Sequence, residues 1–306
     1  MMGKRKRIGL ALGGGGARGM AHIGVLKVLD AETIPIDIIA GTSIGALVGA
    51  AYSSGLAPSE LEEMIESFLD SSTFQNSALK SMKEFQDRKK LSFTQKIQGF
   101  FKNQILLFQA MFKPGMLDTE DFQAMIDFFL PDIQIEDTRV PFRAVATDLV
   151  SGQALVMSQG SLRRAVMASC AVPGAVPPLN EGGMFLSDGG IINMVPASVV
   201  REEGAEFVVA VSVNGDINEG EDFKSVMDIY VRAHEIMSYH LENLKLEEAD
   251  VSIRPDVGSL HWTDFVLAED LIEEGERAAK EKLHDLRKAL PLAKRWAVLS
   301  FLNRLL

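Results

Sequence analysis

A serine flanked by glycines lies between a strand-like and a helix-like segment. The residues Ile38 to Ala40 are apolar, GTSIG follows at 41–45, and an Ala/Leu/Gly-rich stretch comes next. Gly-x-Ser-x-Gly in this context is typical of a nucleophile elbow, a tight turn that presents a serine hydroxyl. Gly41 and Gly45 leave room for the strained backbone of that turn. We therefore predict that Ser43 is a nucleophile at the carboxyl edge of a sheet, rather than an ordinary N-cap serine.

A serine that transfers acyl groups also needs hydrogen-bond donors for the oxyanion. The stretch from Gly13 to Gly19 reads GGGGARG and opens a helix. Successive glycines allow backbone N–H groups to face an anion, and the positive end of the helix adds to the effect. Arg18 is predicted to hold this loop in shape or to steady negative charge. The predicted oxyanion donors are the amides of Gly14, Gly15, Gly16 and Ile44.

The same glycine loop has a second interpretation. Gly14-x-Gly16-x-x-Gly19 follows a strand and opens a helix, as in a dinucleotide-binding fingerprint. That fingerprint also requires an acid at the carboxyl end of the second strand, for the ribose. The nearby acid, Asp37, begins that strand, and Ser43 occupies its other end. The sequence therefore favours the oxyanion loop, and no nucleotide cofactor is predicted.

The general base is harder to choose, because none of the histidines lies in a turn after a late strand. His22 is expected to pack within a helix. His261 lies in a late loop, and a role for it as the base stays open. Charged helical stretches carry the others, which are His234, His240 and His284.

Asp188 is the better candidate for the base. It follows a short apolar segment and directly precedes Gly189 and Gly190. A partly buried carboxylate within hydrogen-bond reach can take a serine proton. The alternative is a plain Asp-Gly turn. Asp148 is instead predicted to close a hairpin turn after a strand.

Composition limits the fold and the partners. The 306 residues, 47% of them hydrophobic, suit one large domain with a full core. Strands alternate with helices, so we predict a three-layer α/β/α fold with a mainly parallel sheet. Cys170 is the one cysteine, which leaves no disulfide and no cysteine-based metal cage. A net charge of −11 argues against nucleic acid.

Targeting signals, membrane-spanning segments and amphipathic segments bear on the location of the protein and on its contact with membranes. Neither a signal peptide nor an apolar run of spanning length is found, which predicts a cytoplasmic protein. Residues 70–135 read as a helical insertion or cap. Its part from 80 to 113 is basic and rich in phenylalanine, which fits either a solvated cap or a lipid-facing surface. An amphipathic helix over 289–306 is predicted to pack on the core or on another copy.

Four blocks of sequence resemble the patatin-like phospholipases, specifically their compact bacterial members, over residues 6–280. The first two are the glycine loop and the elbow. The third is Ala168 to Gly174 with Pro177 and Pro178, and the fourth is Asp188-Gly189-Gly190 with Asn193 and Pro196. A late stretch, 249–256, resembles the family's closing strand. Gly13 replaces an aspartate that is common in the family.

The resemblance implies a Ser–Asp dyad, with Ser43 as nucleophile and Asp188 as base, and no metal or cofactor. Arg18, Gly19, Gly41, Gly45, Gly189 and Gly190 would support the motifs. The implied reaction is hydrolysis of a carboxylic ester in a lipid through an acyl-serine intermediate. Two other functions stay open: an acyl-lipid-binding regulatory protein without turnover, and an esterase for small soluble esters. The lipid, the acyl position and the oligomeric state are left open.

Overall fold

The computed structural model describes residues 5–71, 119–217, 223, 225–258 and 267–290. Its centre is an eight-stranded sheet in the order β5-β6-β3-β2-β1-β7-β8, with β4 paired to β3. The strands are Ile8–Leu12 (β1), Ile38–Thr42 (β2), Phe142–Asp148 (β3), Gln153–Met157 (β4), Leu179–Glu181 (β5), Met184–Asp188 (β6), Phe207–Val211 (β7) and Val251–Ile253 (β8).

Helices connect and cover these strands. Short 3-10 helices at Gly16–Met20, Ile135–Asp137, Gly189–Ile191 and Arg287–Ala289 accompany the α-helices. The α-helices are Ala21–Ala31 (α1), Ile44–Ser54 (α2), Pro58–Asp70 (α3), Thr119–Phe129 (α4), Leu162–Ser169 (α5), Ala197–Glu202 (α6), Val226–Leu246 (α7), Ala268–Glu281 (α8) and Leu283–Leu286 (α9).

The sheet is parallel where the sequence alternates strand and helix. The parallel neighbours are β3, β2, β1, β7 and β8. The strands β4 and β6 pair antiparallel with β3, and β5 pairs antiparallel with β6. The strand β3 changes partner along its length. It pairs with β2 through residues 142–145 and with β6 through residues 146–148. This switch brings the end of β6 beside the end of β2.

Successive strand residues face two separate cores, because side chains alternate across a sheet. On β1, Leu10 packs with helices α1 and α2, whereas Ala11 packs with α6 on the other face. Helices therefore cover both faces of a mainly parallel sheet. The predicted three-layer α/β/α class is confirmed.

Most predicted elements are found with small shifts of their ends. The hairpin at Asp148 joins β3 to β4, as predicted. The helix α4 falls inside the predicted cap, but residues 72–118 lie outside the described part, including the basic segment 80–113. Beyond Leu290 the predicted C-terminal helix also lies outside it. The domain boundaries accordingly stay predictions. Within the described ranges, no helix is long and apolar enough to span a membrane.

Candidate active site

Ser43 lies in a strained turn between β2 and α2. Its φ of 54° falls in the left-handed region, which L-residues other than glycine rarely adopt. The turn is too crowded for side chains at its flanks. A Cβ on Gly41 would come within 2.4 Å of the Gly45 carbonyl oxygen, and one on Gly45 within 2.2 Å of Leu12 O. Glycine at both positions is what allows the backbone to hold this strain.

Asp188 ends β6 and is buried beside Ser43. Its Oδ1 accepts a hydrogen bond from the Gly190 amide at 2.7 Å. Burial raises the pKa of Asp188 from 3.8 to about 6, and interactions with the Ser43 side chain and the Gly190 amide oppose this rise. A carboxyl with a pKa near neutrality, next to a hydroxyl, has the properties of a general base.

The amides of Gly15, Gly16 and Ile44 are available as donors, and Gly16 and Ile44 line the same cavity as Ser43. None of the three donates to an oxygen of another residue in the described ranges. Gly14 does not fit its predicted role, because its N–H donates to the carbonyl oxygen of Met194 at 3.0 Å. The predicted donor set therefore narrows to Gly15, Gly16 and Ile44.

A partly buried polar network supports the carbonyl groups of the glycine loop. Arg18 Nε donates to Gly15 O at 3.1 Å, and Arg18 Nη2 donates to Asn214 Oδ1 at 2.7 Å. Asn214 Nδ2 donates to Gly14 O at 3.3 Å and to Glu242 Oε2 at 2.9 Å. In a trans peptide the C=O and N–H point in opposite directions. Fixing these two carbonyls therefore turns the N–H groups of Gly15 and Gly16 away from the network.

The network has few ways to rearrange. Ser212 also donates to Glu242, so this buried carboxylate has two neutral donors. Burial lowers the pKa of Arg18, and the charge of Glu242 opposes that change. Asn214 faces a donor on one side and acceptors on the other, which fixes the orientation of its amide.

None of the four histidines in the described ranges is placed as a base for Ser43. His22 is buried, its Nε2 lies 2.8 Å from Gly13 O, and burial lowers its pKa to about 4. It therefore supports the glycine loop as a neutral side chain. His234 and His240 lie exposed on α7 and His284 on α9, while His261 falls outside the described residues.

The other predicted acids have structural partners. The Asp148 carboxylate accepts hydrogen bonds from Val150, Ser151 and Phe185, which close the hairpin and lower its pKa to about 2. Asp37 precedes β2 and pairs with Arg5, at the edge of the sheet opposite Ser43. Neither position suits a ribose ligand or a base.

Ser43 opens onto an apolar cavity of about 120 Å³. The helices α2, α3 and α4 and the segment after α5 form its walls, and Ser43 is the one hydroxyl-bearing residue that lines it among the residues described. Cys170 lies on the wall near the dyad, where burial and the charge of Asp188 raise its thiol pKa. The larger lining side chains include Leu47, Leu61, Ile65, Phe68, Phe122 and Phe129.

A family model of patatin-like phospholipases matches residues 10–201, which is more than half of the chain. The chain belongs to the patatin-like phospholipase family. The match includes the elbow, the glycine loop and β6, so both members of the predicted dyad lie inside it.

Relatives of this patatin-like chain occur in animals and bacteria. It is 35% identical over 208 residues to "Patatin-like phospholipase domain-containing protein 6" of Mus musculus, covering 67% of the chain and 13% of that protein. It is 31% identical over 235 residues to "Neuropathy target esterase sws" of Drosophila melanogaster, covering 73% and 14%. An uncharacterized NTE family protein of Mycobacterium tuberculosis is 32% identical, covering 68% and 49%. The chain thus spans less than half the length of these relatives.

Among solved structures, VipD from Legionella pneumophila aligns with 94% of this patatin-like chain and 67% of its own, at 14% identity and a TM-score of 0.47.

Several residues around the site were not singled out from the sequence for these roles. The Ser169 hydroxyl accepts a hydrogen bond from the Ser43 amide, and Met194 O accepts one from the Gly14 amide. Asn214 and Glu242 belong to the network that holds the glycine loop. Ser169 lies in a block that the family resemblance had quoted, without a role for it. Asn214 follows directly after a buried strand, a position that often carries function in α/β folds. Glu242 had no such signal, because it lies in a charged helical stretch.

Proposed function

We propose that the protein is a serine hydrolase that cleaves carboxylic esters of lipids through an acyl-Ser43 intermediate. The observation that carries this proposal is a strained Ser43 beside a buried Asp188, at the mouth of an apolar cavity. Family membership supports the lipid substrate, because the matching model describes phospholipases.

In the first step, Ser43 Oγ attacks the carbonyl carbon of the ester while Asp188 takes the hydroxyl proton. The oxyanion that forms would lie against the amides of Gly15, Gly16 and Ile44. Such donors stabilise charge that develops only in the transition state. The carbonyl then re-forms, and the alcohol part of the lipid leaves with the proton that Asp188 returns.

In the second step, water attacks the acyl-Ser43 carbonyl and Asp188 takes a proton from that water. The tetrahedral intermediate collapses, Ser43 regains its proton, and the fatty acid leaves. The same carboxylate thus serves as base and acid in turn. No histidine or metal takes part in this scheme.

The apolar cavity supports an acyl chain as the buried part of the substrate. Its lining consists almost entirely of hydrocarbon side chains, which gain free energy when they cover methylene groups. We further propose, from the sequence, that the catalytic unit is residues 6–280 and that it works in the cytoplasm at a membrane surface.

The test is labelling by a fluorophosphonate probe of wild type, Ser43→Ala and Asp188→Asn, with the modified peptide identified by mass spectrometry. Labelling of Ser43 in wild type, lost in both variants, is the expected result. A folded wild type that stays unlabelled would favour an acyl-lipid-binding protein without turnover. Activity that rises when an ester substrate forms micelles would separate a lipid hydrolase from an esterase for small soluble esters.

A further inference from the structure

A stripe of uncharged residues runs along the outward face of α7. Val226, Tyr230, Met237 and Leu244 are 85%, 69%, 64% and 61% exposed, although each is mainly apolar. Contiguous apolar surface of this kind marks an interaction site rather than ordinary solvent-facing surface.

The stripe faces away from the domain to which α7 belongs. Glu242 and Leu246 are the buried residues of α7, and they contact the glycine-loop network and the core around Val208. At 3.6 residues per turn, these two positions lie roughly 140° to 200° around the helix from Met237 and Leu244. The exposed stripe is therefore not the rim of the domain core.

Much of α7 also extends past the edge of the sheet. Glu242 contacts Ser212, just after β7 ends, and Leu246 packs further back along that strand. Val226 then lies about 24 Å beyond Glu242, at 1.5 Å per residue. A helix gains most of its stability from packing of an apolar face rather than from propensity. The described strands therefore do not cover the exposed stripe at the first turns of α7.

We propose that α7 of a second copy packs on this stripe, antiparallel, in a two-fold dimer. The exposed stripe continues through Ala233 and His240, and its six positions follow steps of four, three, four, three and four residues. This is the spacing of a coiled-coil seam, and it reads the same in both directions. An antiparallel pair centred on position 235 joins Val226 to Leu244, Tyr230 to His240 and Ala233 to Met237.

The sizes of the paired side chains fit the antiparallel arrangement. Small Ala233 would face large Met237, as layers of alternating size do in close packing. A parallel pair would instead place Ala233 against Ala233 and leave a gap. Two-fold pairing also uses the same patch on both copies, as closed dimers do.

The charges on α7 favour a protein partner over a lipid surface. Asp228, Arg232, Glu235 and Lys245 all lie off the seam, and charge is typically depleted from the centre of protein interfaces. A helix that lies on anionic lipid carries Lys and Arg along its polar face. That face of α7 carries Asp228 and Glu235 in a chain of net charge −11.

The mass of the full chain in solution tests the proposal. Light scattering behind gel filtration is expected to give wild type twice the 33.4 kDa of one chain. Met237→Glu is expected to give the mass of one chain with an unchanged circular dichroism spectrum, since the side chain is exposed in a single copy. Val231→Glu is the matched control: it is 48% exposed on α7 but off the seam, and should stay dimeric.

Cross-linking tests the direction of the pair. Cys170 is buried, so background from the natural thiol is low. An oxidised mixture of Ala233→Cys and Met237→Cys chains should give the mixed dimer, while either chain alone should not cross-link. Cross-linking of Ala233→Cys with itself would overturn the antiparallel arrangement.

Two results would overturn the dimer itself. The first is a wild-type mass of one chain at every concentration tested. The second is a dimer that Met237→Glu leaves intact, because another surface would then form it. Binding of wild type to phosphatidylcholine vesicles that Met237→Glu abolishes, with a monomeric mass, would assign the stripe to lipid instead.

Discussion

The amide of Ser43 donates a hydrogen bond of 2.9 Å to the hydroxyl of Ser169, and that hydroxyl donates onward to Val145 O at 2.6 Å. The turn that carries Ser43 is thereby linked to β3 through one buried side chain. The hydroxyl must accept and donate at once, and a serine at the end of α5 can do both.

Ser169→Ala is expected to lower the free energy of unfolding by about 1 to 3 kcal/mol, since a buried amide loses its acceptor. It should also lower kcat, because the strained turn loses a restraint. Denaturant unfolding and steady-state kinetics on a soluble ester check both.

Ser53→Ala is the matched control, since Ser53 is equally buried at the far end of α2 and its hydroxyl has no partner among the described residues. It should leave stability and kcat nearly unchanged. A Ser169→Ala enzyme as active as wild type would contradict a role for this hydrogen bond in the turn.

The pKa of Asp188 predicts how activity depends on pH. The base must be charged to take the Ser43 proton, so kcat/KM should rise with an apparent pKa of about 6 and then level off. The measurement is a pH profile on a soluble ester. A profile with no change in slope near the pKa of about 6 would argue against this carboxyl as the base.

Stability should show the opposite trend over the same range. The folded-state pKa of Asp188 lies above the unfolded value, so the folded state binds more protons between pH 3.8 and about 6. The free energy of unfolding therefore includes this contribution in full below pH 3.8 and loses it as pH rises to about 6. The loss is at most about 3 kcal/mol. Asp188→Asn should lose this contribution to the pH dependence and be the more stable protein at pH 8, as thermal melts across pH would report.

The network behind the glycine loop should affect turnover more than binding. Asn214→Asp replaces a donor by an acceptor that faces Gly14 O and Glu242, so the loop carbonyls lose a restraint. We expect kcat to fall up to about a hundredfold with KM little changed, because the Gly15 and Gly16 amides act in the transition state.

Asn180→Asp is the control for the added charge, since Asn180 is exposed on β5. It should have wild-type kinetics. If Asn214→Asp raised KM and spared kcat, the network would serve binding and not the oxyanion.

The apolar cavity predicts a preference for acyl length. Ala51 lines it two turns along α2, about 12 Å from Ser43 at 1.5 Å per residue. Ala51→Leu should lower kcat/KM for long-chain esters and spare the shortest ones, which serve as the internal control. An equal loss for all chain lengths would mean that the variant disturbs the fold rather than the cavity.

The sequence predicted the elements that local pattern determines. The elbow, β1 and the hairpin at Asp148 could be predicted because glycines and apolar runs at those spacings fit few other local structures. The Gly14 amide was predicted as an oxyanion donor, and nothing in the sequence indicated its actual acceptor, because Met194 comes from a distant turn. The spacing along α7 is readable in the sequence, but whether that stripe faces the core or solvent depends on how Glu242 and Leu246 dock. Glu242 itself carries no local signal, because its partners are assembled only by the sheet.

The change of partner along β3 has a consequence for folding. Ser43 follows β2 and Asp188 ends β6, and these two strands pair with different parts of β3, so the two residues meet only when the centre of the sheet is complete. A slip of one residue in either pairing would turn the side chains of that strand to the opposite face. Such long-range contacts form late and slowly. Recovery of esterase activity during refolding should therefore lag behind the return of the helical circular dichroism signal. A nascent chain that ends before β6 would contain Ser43 without Asp188 and should be inactive.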